Sequence, residues 1–221
     1  QRRLIPSYIF LVIVSLISVF PFYWMISAAT NQTVDIARGK ITFGTHAIEN
    51  FNNLLSSQNL WGSLANSFIY ALVQTIIALF ICSLAGYGFE LYHDKYKDLV
   101  FSILLLAMMV PGVATMIPLF KMISDVGLLN SVWGFILPSI STPFLIMMFR
   151  QNSRNFPIDI MEAARMDGVS EIGIFFRMYL PVMKATYAAA GVITFMNAWN
   201  AYLWPKVVMT DKAAQTMPML I

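Results

Sequence analysis

Five apolar blocks of about bilayer length constrain this chain more than any other feature. They run roughly from Ile5 to Ala29, Leu64 to Gly86, Leu99 to Leu119, Val132 to Met148 and Val182 to Leu203. A hydrocarbon layer about 30 Å thick is crossed by about 20 consecutive apolar residues in a helix. Each block is helical rather than barrel-forming, because none alternates apolar and polar residues, and a helix pairs its own backbone groups away from water. Charged residues are only 11% of the 221 and hydrophobic residues 58%, against about 25% charged in an ordinary soluble domain. So few charges cannot cover a water-facing surface. The expected fold is all-α: a polytopic transmembrane helical bundle.

Orientation follows from the basic residues. With the N-terminus inside, Arg2, Arg3, Lys95, Lys97, Arg150, Arg154, Arg165, Arg177 and Lys184 lie inside, while Arg38, Lys40, Lys121, Lys206 and Lys212 lie outside, nine against five. The expected location is therefore a cell membrane, multi-pass, with a cytoplasmic N-terminus. The net charge of +3 comes without a long basic run, which gives no reason to expect a nucleic-acid partner. Cys82, the one cysteine, reads as a small buried apolar residue. The chain starts at Gln1 without an initiator Met and stops in apolar sequence at Met219-Leu220-Ile221, so both ends read as trimmed. The first block exceeds a signal peptide in length and lacks a cleavage site, so it reads as a retained span.

In the polar stretch after the first block, Phe51, Leu54, Leu55 and Trp61 recur at near-helical spacing, as in a short interfacial helix. Asn31-Gln32-Thr33 fits a glycosylation acceptor pattern, a weak three-residue signal. Pro111-Gly112 in the third block and Pro138 and Pro143 in the fourth predict kinks, either static or marking helices that move.

The segment between the fourth and fifth blocks, about 150–181, carries most of the charge on its side. Pro157 suits the start of a helix over Ile158 to Met166. Gly168 can adopt the left-handed conformation that ends it. Ser170 can cap a second helix from Glu171 to Tyr179, and Pro181 then opens the fifth span. The segment thus reads as a helix-turn-helix knob at the membrane surface. Such a knob suits insertion into a partner's groove, or it simply joins two spans; physics alone leaves both open.

Glu162-Ala163-Ala164, then Asp167-Gly168, then Leu180-Pro181 resemble the signature loop of permease subunits of binding-protein-dependent ABC importers. That pattern has Glu-Ala-Ala, a glycine four residues later and a hydrophobic-x-Leu-Pro ending. Met178 stands where isoleucine is usual. Pro21-Phe22-Tyr23-Trp24-Met25, Asn66-Ser67, Met109-Val110-Pro111, Leu128-Leu129-Asn130, Trp199-Asn200 and Leu203-Trp204-Pro205 resemble the carbohydrate, maltose-type branch, so the likeness covers nearly the whole chain.

The resemblance implies one permease domain over 1–221, with a coupling loop at 150–181, in a bacterial or archaeal inner membrane. It implies a second, non-identical permease, an ATPase dimer that binds ATP and Mg²⁺, an extracytoplasmic solute-binding protein and a sugar-like substrate. It assigns ATPase coupling to Glu162, Ala163, Ala164, Asp167, Gly168, Leu180 and Pro181. Arg165 offers Glu162 an intrahelical partner, so Glu162 could instead make only a local surface pair. The resemblance also implies a sixth span and a short inner tail after Ile221.

The chain itself reads as no enzyme and binds no cofactor of its own. It has no Gly-x-x-x-x-Gly-Lys-Ser/Thr loop. It shows no metal constellation, since His46 and His93 fall on opposite sides. Two polar stripes are candidates for the solute pathway. Thr194, Asn197, Asn200 and Trp204 share a face of the fifth span, and Asn66, Ser67, Tyr70 and Gln74 a face of the second. Amides and aromatics suit a neutral polyhydroxylated solute. The alternative is interhelical hydrogen bonding at about 0.6 kcal/mol per pair, and Tyr202 and Trp204 could equally be interfacial belt residues. A channel or secondary carrier would need an ionisable group in the spans, where no carboxylate lies. A non-transporting scaffold would leave the capped knob unexplained.

Overall fold

The computed structural model describes residues 4–92 and 94–220. Arg2 and Arg3 of the charge count, His93 and Ile221 lie outside the described residues. The chain divides into two compact units, 1–60 and 61–221.

In the first unit, α1 (Leu4–Ala29) is one long apolar helix, followed by α2 (Thr33–Ala37) and α3 (Ala47–Ser57). The turn after α1 is organised by Asn31, which is 1% exposed. Its Nδ2 donates to the Ser27 carbonyl at 2.9 Å and the Thr42 carbonyl at 2.7 Å. A buried amide with both hydrogens engaged is a structural bracket and no glycan acceptor, so the Asn31-Gln32-Thr33 match is fortuitous. Phe51, Leu54 and Leu55 are exposed along α3, as expected of an interfacial helix. Trp61, grouped with them by spacing, belongs to the next helix.

The second unit is built around α4 (Leu60–Leu91), a 32-residue helix, about 48 Å long at 1.5 Å per residue. Its buried face is Ser67, Tyr70, Ala71, Gln74, Ala78, Cys82 and Gly86. The spacing of three and four marks one stripe, and the small side chains let neighbouring backbones approach. Near Gly86 the approach is closest: a Cβ there would sit 2.6 Å from Phe149 Cβ and 2.7 Å from the Arg150 amide nitrogen.

The expected third span is two helices, α5 (Lys95–Ala107) and α6 (Gly112–Asp125), crossing at 102°. Asp94 caps α5 by accepting from the Tyr96 and Lys97 amides. Pro111 is extended, at φ −60° and ψ 128°, and proline disfavours helix at the residue before it. The anticipated kink is therefore a full break. The fourth block divides likewise into α7 (Val132–Ile136), a 3₁₀ turn at Leu137–Ser139 and α8 (Pro143–Ser153), bent by 50°. Among the described residues, two helices are thus long and apolar enough to cross a membrane, or up to four if each bent pair is one span.

After α9 (Ile158–Met166) the chain is helical almost without interruption through α10 (Glu171–Ile174), a π turn at Phe175–Tyr179, α11 (Leu180–Val182) and α12 (Lys184–Trp199). The expected boundary at Pro181 is therefore absent. Proline cannot donate to the preceding turn, and the wider π turn just before it accommodates the lost bond. α12 ends at Trp199, short of the expected Leu203, and α13 (Leu203–Val208) follows.

Three buried clusters succeed one another along α4. Tyr70 and Ala71 pack with Ile123, Phe135, Ile136, Val208 and Met209. Ala78 and Cys82 pack with Leu145, Ile146, Phe149 and Ala190. Tyr87 packs with Phe156, Met161, Ala164, Ile174, Phe175 and Tyr179. The last cluster seats the 150–181 knob. Half of its buried residues are aromatic, with Tyr87 and Tyr179 rings 4.8 Å apart and edge-on, and the Tyr179 hydroxyl 2.7 Å from Ser153 Oγ in the buried interior.

Candidate functional site: a surface knob and an uncharged cavity

Local chemistry builds the knob as its residue types require. Pro157 precedes the first turn of α9, with Asp159 in that turn and Arg165 in the last, both favourable to the helix dipole. Gly168 has φ +74°. Its amide donates to the Arg165 carbonyl and the Val169 amide to the Ala164 carbonyl, each at 3.0 Å, satisfying carbonyls at the end of α9. Ser170 Oγ accepts from the Gly173 amide at 3.2 Å and opens α10.

α9 has two distinct sides. Met161 and Ala164 are buried in the aromatic cluster. Glu162, Ala163, Asp167 and Gly168 are exposed, Leu180 is half-buried and Pro181 is exposed further along. Ile158, Glu162 and Met166 are four residues apart on the outer side, and Met166 is 89% exposed. Neither Ile158 nor Met166 was singled out from the sequence, although a spacing of four from Glu162 places both on its face. An apolar residue so exposed at the tip of a charged helix suits a partner's surface better than water.

Arg165 does not pair with Glu162. Its Nε lies 2.8 Å from Glu171 Oε1, and its Nη2 lies 3.3 Å from Glu171 Oε2 and 3.2 Å from the Tyr92 hydroxyl. The guanidinium also stands over the Tyr92 ring, 5.5 Å from its centroid. The Tyr92 hydroxyl donates to Glu171. Arg165, then Tyr92, hold the Glu171 carboxyl below its ordinary value. Glu171 and Tyr92 in turn raise Arg165. A depressed carboxyl keeps its ion pair above the ordinary carboxylate range and loses it only as pH falls through the lowered value.

The polar stripes meet elsewhere, at a cavity of about 380 Å³. Gln74 from α4, Thr194 and Asn197 from α12 and Trp204 from α13 line it, joined by Ser139 and Thr142 from the bend between α7 and α8. Phe135, Phe144 and Ile193 supply apolar walls. Trp204 is fixed by its Nε1–H donating to the Gly134 carbonyl at 3.1 Å.

The rest of each stripe lies off this cavity. Tyr70 is buried against Phe135, with ring centroids 5.3 Å apart. Asn200 caps the end of α12, donating to the Met196 carbonyl at 2.8 Å. Asn66 donates to the carbonyls of Ala213 and Gln215 at 2.7 and 3.0 Å, and Ser67 Oγ accepts from the Met217 amide at 2.8 Å. The second stripe therefore mainly ties α4 to the segment after α13. Ser139 and Thr142 reach the cavity only through the helix break, which sequence spacing cannot reveal.

An all-helical membrane protein with broken helices, an uncharged polar cavity and a capped surface knob is of the transport-permease class. The chain belongs to the family of binding-protein-dependent transport system inner membrane components, whose model matches residues 83–221. It is 43% identical over 223 residues to the lactose transport system permease protein of Rhizobium radiobacter, covering all of this chain and 82% of that one. It is 32% identical to the arabinooligosaccharides permease of Bacillus subtilis strain 168, over 95% of this chain and 76% of the other. To the sn-glycerol-3-phosphate permease of Shigella flexneri serotype 5b it is 30% identical, over 93% and 76%. The fold is also that of a bacterial ABC transporter involved in the import of the acidic polysaccharide alginate, with a TM-score of 0.85 at 22% identity, over 97% of this chain and 76% of the other.

Proposed function

We propose that this permease forms half of an import pathway for a neutral oligosaccharide, paired with a second, non-identical permease and fed by an extracytoplasmic binding protein. A partner ATPase dimer, which binds ATP and Mg²⁺, receives α9 in a cleft on the cytoplasmic side, with the permease N-terminus on that same side. Glu162, Ala163, Asp167 and Gly168 form the docking face, extended by Ile158 and Met166, while Ala164, buried behind them, seats α9 on the aromatic cluster. Closing of the ATPase dimer shifts the permease between two arrangements by rigid-body motion of the docked knob.

The observation that carries the substrate class is the cavity itself. It is lined by amide, hydroxyl and indole groups, and none of its lining residues is charged. Amides and hydroxyls exchange hydrogen bonds with sugar hydroxyls, and an indole offers a flat face for a sugar ring. This supports the solute class of the lactose and arabinooligosaccharide relatives over that of the glycerol-phosphate relative, since a phosphate calls for Arg, Lys or clustered amide donors.

Lactose uptake by proteoliposomes containing the complete complex tests this. Asn197→Ala is expected to slow uptake about fivefold, the loss of one hydrogen bond of roughly 1 kcal/mol. Asn200→Ala, off the cavity, is expected to leave uptake within about twofold, as usual for a surface change. Equal rates for both variants and the unaltered protein would remove the cavity from the pathway.

A further inference from the structure

The turn after α9 is a natural hinge. Two backbone hydrogen bonds close it, and nothing lies within 4 Å of a Cβ built on Gly168. A nine-residue helix is not stable by itself and depends on its contacts with the rest of the protein. A hinge free to swing would absorb any push on α9 before it reached the spans.

Met161 and Ala164 share buried packing with Ile174 and Phe175 across this turn, and on the outer side an ion pair crosses it. Arg165 stands before Gly168 and Glu171 after it, and their two-pronged contact spans the turn. Tyr92, just past the end of α4, completes the junction through its hydroxyl and its ring. A further contact at 3.4 Å links Tyr92 to Tyr87 within α4. Three elements therefore meet on one guanidinium: the knob, the root of the helical run into α12, and the end of α4. A planar fork suits this task, because its two-pronged grip on a carboxylate fixes an angle as well as a distance. None of the three residues belongs to the Glu-Ala-Ala…Gly signature pattern.

We propose that Arg165, gripped by Glu171 and Tyr92, is a positioning residue that acts as a strut across the Gly168 turn, so that motion of the docked knob reaches α4 and α12 together. The proposal rests on the reading of α9 as the docked element. Without the strut, docking persists and the coupling between hydrolysis and transport is lost.

The complete complex in proteoliposomes, with binding protein preloaded with lactose, separates these effects. Arg165→Ala is expected to keep the ATPase co-purifying while lactose imported per ATP hydrolysed falls about fivefold or more, the lower end of ordinary coupling factors. Glu171→Gln should do the same, and Tyr92→Phe, which keeps the ring and loses the hydroxyl, should give a smaller loss. The exchange Arg165→Glu with Glu171→Arg restores the ion pair and should recover most of the ratio, while retained co-purification of the ATPase shows that the single variants are folded. An unchanged ratio in Arg165→Ala would overturn the strut. Release of the ATPase by that variant would also overturn it, making Arg165 part of the docking face. If the unaltered complex neither retains the ATPase nor responds to the loaded binding protein, the docking reading fails first, and the strut with it.

Discussion

Replacing Gly168 with proline is expected to abolish the stimulation of ATP hydrolysis by solute-loaded binding protein, with the permease still inserted in the membrane. The backbone at 168 has φ +74°, and a pyrrolidine ring fixes φ near −65°. Proline also removes the amide that donates to the Arg165 carbonyl, and it disfavours the near-helical Asp167 that precedes it, at φ −78° and ψ 2°. The end of α9 must then rearrange, carrying the docking face with it.

Alanine gives a graded comparison. Its Cβ would meet nothing within 4 Å, so its cost is the left-handed backbone alone, about 1–2 kcal/mol. Gly168→Ala should therefore retain a measurable part of the stimulation. Hydrolysis by the reconstituted complex, with and without loaded binding protein, measures both variants. Full stimulation in Gly168→Pro would show that α9 does not transmit the signal.

The second large effect is expected at Gly86. A leucine there would drive its Cβ into the Phe149 Cβ and the Arg150 amide nitrogen, both closer than 3.0 Å. The obstacle includes backbone, which cannot rotate aside. Overpacking usually costs about 1–3 kcal/mol, and this site should reach the upper end. The strain falls beside Arg150, whose guanidinium binds Glu90 at 3.0 Å and Asp98 at 2.6 Å and so joins α8 to α4 and α5. Gly86→Leu should sharply reduce the yield of monodisperse permease in detergent and lower its thermal midpoint. Gly88→Ala is the control, two residues away with nothing within 4 Å of its Cβ. It should be neutral or stabilising by up to about 1 kcal/mol through helix propensity. Equal behaviour of the two variants would contradict the close approach of α4 and α8.

Sequence was most informative where a single residue type dictates a local backbone state. Pro157, Gly168 and Ser170 bounded α9 and the start of α10, because a fixed φ, a left-handed φ and a capping hydroxyl are each demanded at one position only. It was less informative where two structures satisfy the same residues. Pro111-Gly112 fits a kink as well as a 102° break, and the choice is made by packing outside that dipeptide. Pro181 has the composition of a helix start, yet the π turn ahead of it lets the helix pass through. The polar stripes illustrate the same limit. Helical spacing put Thr194, Asn197, Asn200 and Trp204 on one face, but α12 stops at Trp199, so Asn200 becomes its cap and Trp204 returns to the cavity on another helix. Gln74 could be placed beside Asn197 only by knowing how α4 and α12 pack. The Arg165–Glu171 pair was obscured by the nearer candidate Glu162, since local spacing cannot register a side chain that reaches back over a turn.

The bonds from Asn66 and Ser67 to the segment after α13 also bear on how the protein is made. Their partners lie 147 to 150 residues downstream. At about 5–20 residues per second, a ribosome delivers them roughly 7–30 s after Asn66 and Ser67 themselves have been synthesised. Throughout that interval this end of α4 lacks its native partners. Its last ties form only when nearly the whole of 61–221 has emerged, so completion of this end of the bundle reports that translation has passed Met217.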